Sequence, residues 1–197
     1  AAADVYKRQV LHGAGRSRSG RIAGALEMDG ATYVDLGSDW NFNRASPFSY
    51  GAWVLVAENV SGAILAKMDD VNSYRGFDVY LADRQVEVHL IHRWPENALH
   101  LRTKEPIEAG EWQHVFVTYD GSSRAAGLKL YIDGVAADVN ATHDSLSGTI
   151  VTDKPLHIGR RNPNGFLTGS IDEVRIYDRQ LSPTEVTQLA GQESIAN

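Results

Sequence analysis

The feature that most constrains this chain is a succession of short β-branched or aromatic runs, each closed by Gly, Asp, Asn or Pro, with no helical period between them. They are ALEM (25–28), TYVDLG (32–37), FSYGAWVLV (48–56), GAILAKM (62–68), GFDVYLA (76–82), QVEVHLIH (85–92), EWQHVFVTYDG (111–121), LKLYIDGV (128–135), LHIGRR (156–161) and GSIDEVRIYD (169–178). Runs of this kind between turn residues read as strands. Without helices between them a parallel α/β sheet is excluded. Alternation assigns faces: Phe77, Val79 and Leu81 oppose Asp78 and Tyr80, and Val86, Val88, Leu90 and His92 oppose Gln85, Glu87, His89 and Ile91. Asp29-Gly30, between the first two runs, predicts a hairpin. One helix is legible in SPTEVTQLA (182–190), with Ser182 as N-cap, Pro183 at the first helical position and Glu185 completing a capping box. It should pack on the sandwich edge. The sum is an all-β, two-sheet antiparallel jelly-roll sandwich with one short C-terminal helix.

A length of 197 residues suits one domain with a sizeable core. Residues 1–21 carry five basic side chains against Asp4, so the remainder holds 14 basic and 24 acidic groups, a net of −10. Such a body repels nucleic acid and anionic membranes. No apolar run approaches the roughly 20 residues that span a bilayer, and no signal-peptide core opens the sequence. The absence of cysteine excludes disulfides and thiolate chemistry. DVYKRQ (4–9) resembles the translation of a transposon-type sequencing adapter common in metagenomic reading frames. Residues 1–20 are accordingly expected to be a non-native or disordered arm, 21–192 the domain and 193–197 a tail.

The stretch HLIHRWPENALHLRTKEP (89–106) interrupts its strand with a Trp-Pro pair before alternation resumes. Sugar-binding surfaces combine an aromatic platform, on which pyranose C–H groups stack, with planar polar side chains for the hydroxyls. This loop supplies Trp94, His92, Arg93 and Asn97, and Pro95 restricts Trp94 to extended conformations that would hold the indole outward. VNSYRG (71–76) adds Asn72, Tyr74 and Arg75, and GRRNPNG (159–165) adds Arg160, Arg161 and Asn162. An equally open reading has Trp94 folding over the sheet edge to seal the core. If Arg75, Arg93, Arg160 and Arg161 converge, they grip the sulfate or carboxylate of an anionic glycan; otherwise each pairs with a nearby acid.

Catalysis finds little footing. Glycosidases need two carboxylates held at a defined separation, and no run places a pair on alternate positions of one strand. Asp69 and Asp70 are adjacent in a turn, and Asp172 and Glu173 fall on opposite faces. His89 and His92 are three apart and cannot chelate one ion without a bulge. A β-elimination set could be assembled from His92, Tyr80 and Arg75, but no spacing demands it.

GALEMDGATYVDLG, FSYGAWV, EWQHVFVTYDG, LKLYIDGV, LHIGRR and GSIDEVRIYDRQLSPTEV, in that order over roughly residues 24–190, resemble the laminin-G-like, concanavalin-A-like jelly-roll domains. The 89–106 insert resembles the form found in large exported planctomycete-type bacterial proteins that also carry cytochrome-c-like domains. The resemblance implies a binding module, most often for carbohydrate, located outside the cell or in the periplasm. It also implies a structural Ca²⁺ on the outer sheet. Asp172 in SIDEVRIYD matches the carboxylate ligand, and Asp29 and Gly30 in EMDGA match the opposing segment. As plain residues, Asp172 is a strand-end acceptor and Asp29 a turn former. The expectation is thus a monomeric, non-catalytic lectin-like module binding a polysaccharide, anionic or neutral, around Trp94 at one rim of the concave sheet. The alternatives are a structural or interaction domain docking on other modules of its parent chain, and a polysaccharide hydrolase or lyase.

Overall fold

Strands that alternate apolar and polar residues bury their apolar faces by pairing into two facing sheets. The computed structural model, which describes residues 10–13, 15–17, 19–22 and 24–192, shows this arrangement. The strands are β1 (Val10–His12), β2 (Arg16–Ser17), β3 (Ala25–Asp29), β4 (Tyr33–Asp35), β5 (Phe48–Leu55), β6 (Gly62–Asp69), β7 (Arg75–Ala82) and β8 (Gln85–Arg93). They continue with β9 (Asn97–Thr103), β10 (Trp112–Tyr119), β11 (Leu128–Ile132), β12 (Val135–Ala136), β13 (Val139–Asp144), β14 (His157–Ile158) and β15 (Thr168–Tyr177). Helix α1 (Pro183–Ala190) follows. One sheet has the order β1-β4-β14-β6-β7-β8-β9-β13, the other β12-β11-β10-β5-β15-β3-β2, with antiparallel pairing throughout.

The core lies between the sheets. Phe48, Tyr50, Ala52 and Val54 of β5 meet Phe77, Val79 and Leu81 of β7 and Val86, Val88 and Leu90 of β8, all but inaccessible to solvent. Phe48 stacks on Phe42 at 4.7 Å and meets Phe77 edge-on at 5.2 Å, which locks the sheets in register at that level.

Three expectations shift. Asp29-Gly30 does not make a hairpin: β3 and β4 belong to different sheets. Asp29 Oδ1 accepts from the N–H groups of Ala31 and Thr32, and Gly30 donates to Leu167 O, so the turn carries the chain across the sandwich. Helix α1 has the expected capping box at Ser182 and Glu185. It buries Val186 on the outer face of the seven-stranded sheet, against Phe116, Tyr131, Tyr177 and Leu181, rather than at an edge. Finally, β1 pairs with β4 and β2 with β3, so the β structure begins upstream of position 21. Residues 1–9 and 193–197, the expected adapter remnant and tail, lie outside the described residues.

Candidate functional site

The outer face of the eight-stranded sheet gathers most of the chemistry. Since Val86, Val88 and Leu90 face the core, Glu87, His89 and Ile91 face outward; Asp78 and Tyr80 of β7 and Ala98, His100 and Arg102 of β9 do the same. Two hairpins set the register. Asp83 (φ 49°) and Arg84 (φ 65°) form a two-residue turn with both φ values positive, which places His89 opposite Asp78. The β8–β9 hairpin, turning at residues 94–96 and shifted in register by a bulge between Ile91 and Arg93, places His100 opposite His89.

Asp78 is 0% exposed. It accepts from Arg161 Nε at 2.6 Å and from His89 Nδ1 at 2.8 Å. Burial pushes its carboxyl upward, but the Arg161 guanidinium and His89 outweigh this and hold it below its ordinary value. Arg161 in turn lies 4.2 Å from the centroid of Tyr80 and 5.9 Å from that of Tyr74. Burial works against its charge; Asp78 overcomes that, and the guanidinium is held above its ordinary value. Beside it, burial of the Asp70 carboxyl raises it to about 6, against the lowering pull of Arg161.

His89 and His100 stack as parallel rings with centroids 4.3 Å apart. His100 Nδ1 lies 2.6 Å from Thr142 Oγ1, while its Nε2 is buried with no hydrogen-bond partner. Burial, reinforced by His89 and His143, pushes this imidazole down to about 3, so it is neutral at pH 7. Glu87 spans the pair, with Oε2 3.9 Å from His89 Nε2 and Oε1 3.9 Å from His100 Nε2, and Oε1 also pairs with Arg102 at 3.2 Å.

Trp94 does not project outward. Met68, Ile91 and Ala98 make an apolar patch on this outer face, and the half-buried indole covers it. Its ring meets His89 at 5.3 Å, His100 at 5.6 Å and His143 at 4.5 Å. Trp94 N–H donates to Ser73 O, tying the hairpin to the loop that carries Tyr74, which is 39% exposed. Trp94, Tyr74 and Arg161 are therefore brought together.

Other expected residues hold the loops. His92 Nδ1 bonds Thr149 O at 2.8 Å, and Asn97 bonds Ser147 Oγ and the N–H groups of Ser147 and Gly148. Arg75 Nε donates to His92 O, Arg93 is exposed, and Asn72 is an exposed turn residue donating to Asp69. Arg160 stacks over Tyr33 at 3.5 Å, whereas Arg161 pairs with Asp78; β4 and β7 are separated by β14 and β6, so the four arginines do not converge. Asn162 follows Arg161 and its backbone bonds the Asp70 carboxyl. Nor does the His92, Tyr80 and Arg75 set assemble. Tyr80 pairs with Glu87, and His92 lies five residues further along β8, roughly 16 Å away.

The calcium set fails a geometric test. Thr168 of β15 stands opposite Asp29, and Asp172 lies four residues further along, about 13 Å at strand rise. Asp172 accepts from Ile22 N and Glu173 N at 3.0 and 2.8 Å, at a bulge where Glu173 adopts φ 48°. Asp29 is occupied by its own turn. Asp172, Asp29 and Gly30 do not form one Ca²⁺ shell, which needs six to eight oxygens around a single point.

Sequence reasoning missed Asp78, Glu87 and His100 as site residues. Half of the signal was available: with a two-residue turn at 83–84, counting outward pairs Asp78 with His89, but counting from the 94–96 turn would pair His89 with Leu101, and only the bulge between Ile91 and Arg93 brings His100 opposite.

A family model described as concanavalin A-like lectin/glucanases superfamily, laminin G type, matches residues 28–187. Among solved structures, the chain is similar to the binding domain of Paraclostridial Mosquitocidal Protein 1, with TM-score 0.68 and 20% identity over 92% of this chain. It spans only 47% of that domain, about half its length. It is also similar to domain 4 of AbnA, a GH43 extracellular arabinanase from Geobacillus stearothermophilus, in complex with arabinotriose (TM-score 0.62, 19% identity, 92% of this chain and 87% of that one). The Ruminococcus gnavus IT-sialidase CBM40 bound to α2,3-sialyllactose aligns with TM-score 0.65 and 17% identity, over 85% of this chain and 96% of that one. At these identities the likeness is one of fold.

Proposed function

The chain belongs to the concanavalin A-like lectin/glucanases superfamily, and from that premise we propose that it is a non-catalytic carbohydrate-binding module of an exported bacterial protein. Its glycan lies on the outer face of the eight-stranded sheet. One observation carries this: the partly exposed rings of Trp94 and Tyr74 flank polar groups already locked by Asp78, His89 and Arg161. Side chains fixed by buried partners lose little entropy when a sugar binds, and apolar ring faces accept its C–H groups. The complexes of the AbnA domain with arabinotriose and of the CBM40 with sialyllactose support the ligand class. Because Arg160 and Arg161 are spent on Tyr33 and Asp78, the expected ligand is a neutral glycan rather than a sulfated one. The carboxylates here suit binding better than turnover: Asp78 is wholly buried and ion-paired, and Glu87 is held by Arg102.

Docking on another protein module is favoured by a single observation, the 89% exposure of Val71 in the same loop as Tyr74. Affinity electrophoresis of the full chain through gels containing neutral or sulfated polysaccharides separates the two readings. Retardation by a neutral polysaccharide that Tyr74→Ala and Trp94→Ala each diminish is expected. No retardation in any gel, or retardation unchanged in both folded variants, overturns the carbohydrate reading.

A further inference from the structure

Glu87, His89 and His100 each direct one ligand-type atom into a common space, and these atoms lie within 4.8 Å of one another. From this constellation we propose a divalent transition-metal site of the zinc class, with His89 Nε2, His100 Nε2 and a Glu87 oxygen as its three protein ligands. The proposal goes beyond carbohydrate binding and stands whether or not a glycan binds the same face.

The backbone explains how three donors come together. Glu87 and His89 are two apart on β8 and so share a face, and His100 is the cross-strand partner of His89 on β9. Hydrogen bonds then set the tautomers. His89 Nδ1 faces the buried Asp78 carboxylate at 2.8 Å, so Nδ1 carries the proton and Nε2 keeps its lone pair. Carboxylate–histidine pairs of this kind orient metal-bound imidazoles. On His100 the Nδ1 side is engaged by Thr142 Oγ1, which leaves the buried Nε2 facing Glu87 without a hydrogen-bond partner. A buried ring nitrogen left unpaired is unfavourable unless something meets it, and in the tautomer whose Nδ1–H donates to Thr142 Oγ1 a metal ion would.

The fit requires ligand atoms now within 4.8 Å of one another to close by up to roughly 1.5 Å. Bond lengths of about 2.0–2.2 Å around a tetrahedral zinc ion place ligand atoms about 3.3 Å apart. The two Glu87–imidazole separations, 3.9 Å each, must therefore close by roughly 0.6 Å. The stacked imidazoles must also twist out of parallel, about a χ2 torsion that is broad for histidine. Arg102, 3.2 Å from Glu87 Oε1, becomes the outer partner of the ligating carboxylate. Three protein ligands leave a fourth position for water or a ligand oxygen, next to Trp94. Two imidazoles with one carboxylate select zinc-class ions over Ca²⁺, which prefers a larger shell of oxygens.

The test is equilibrium dialysis of the untagged full chain, stripped with chelator, against Zn²⁺ alone, with Co²⁺ absorption as a report on geometry. One equivalent of Zn²⁺ bound at micromolar or lower concentration is expected, with visible four-coordinate Co²⁺ bands and no competition from millimolar Ca²⁺. His100→Ala should weaken binding at least about 100-fold, and Thr142→Val, which removes only an outer partner on an exposed strand, about 10-fold. His12→Ala, on the distant edge strand β1, should leave it unchanged. Absence of a bound equivalent at 100-fold excess Zn²⁺ overturns the site. So does binding that survives His100→Ala in a folded variant, or that His12→Ala abolishes.

Discussion

Removing the Asp78 carboxylate tests the polar floor of the candidate site most directly. Asp78→Leu leaves the Arg161 guanidinium, 17% exposed at its side chain, and the His89 Nδ1–H facing an apolar side chain where water reaches poorly. Breaking one partner out of a buried ion pair costs about 3–5 kcal/mol, because the surviving charge stays buried without compensation. A domain of this size has a total stability on the order of 10–15 kcal/mol, so the variant remains folded at rest. With a urea m-value of about 3 kcal/mol/M, the midpoint should fall by roughly 1–1.7 M. Arg161→Met alone should lose a comparable amount, by burying the Asp78 charge unpaired. The double variant Asp78→Leu/Arg161→Met should lie within about 1–2 kcal/mol of the parent, since replacing a whole buried pair by apolar groups is often near neutral. The double-mutant cycle therefore predicts a coupling of at least about 2 kcal/mol. Urea unfolding followed by tryptophan fluorescence measures all four proteins. Midpoints of the single variants within 0.3 M of the parent, or a double variant as unstable as the two losses added, would refute a locked pair.

Two further perturbations read other parts of the same face. The Asp70 carboxyl, raised by burial from 3.8 to about 6, holds its proton more tightly in the folded state. The stability this brings is complete below pH 3.8 and lost as pH rises through 6, so Asp70→Asn should match the parent near pH 4 and exceed it by about 1 kcal/mol at pH 7.5; thermal unfolding across that range measures the gap, and a gap independent of pH contradicts the cause assigned. Gly76 sits at φ 140°, and a Cβ there would lie 1.9 Å from Lys67 O, so Gly76→Ala should cost about 3 kcal/mol or more; an unfolding midpoint like the parent's would show that β6 and β7 separate without penalty.

Alternation and turn chemistry are local, and they were legible. The positions of Phe77, Val79 and Leu81 in the core follow from period two alone, and the Ser182–Glu185 capping box from four residues read in order. Strand β13 (VNATHD) escaped notice because it is mostly exposed on both sides and so shows no apolar alternation. The Asp29-Gly30 turn suggested a hairpin because the same two residues serve any reversal that needs a left-handed glycine. Whether the next strand pairs with the last one or joins the opposite sheet is decided by the partners already in place, here Leu167 and β14.

The candidate site divides in the same way. Trp94, Tyr74 and Arg161 could be named from the sequence because aromatic and cationic residues in turn-rich segments are where binding groups concentrate. The demotion of His92 and Asn97 to loop clamps depended on where the 147–149 segment packs, 50 or more residues downstream. Arg161 reaches Asp78 across 83 positions, and Thr142 reaches His100 across 42. By itself, then, the sequence determined the strands with a buried apolar face, their inward faces and the closing helix, because those depend on neighbours one to four residues away. Only the tertiary structure decided which carboxylate is buried, which imidazole nitrogen stands unpaired and which arginine is committed, because burial and pairing are properties of side chains that distant segments bring into contact.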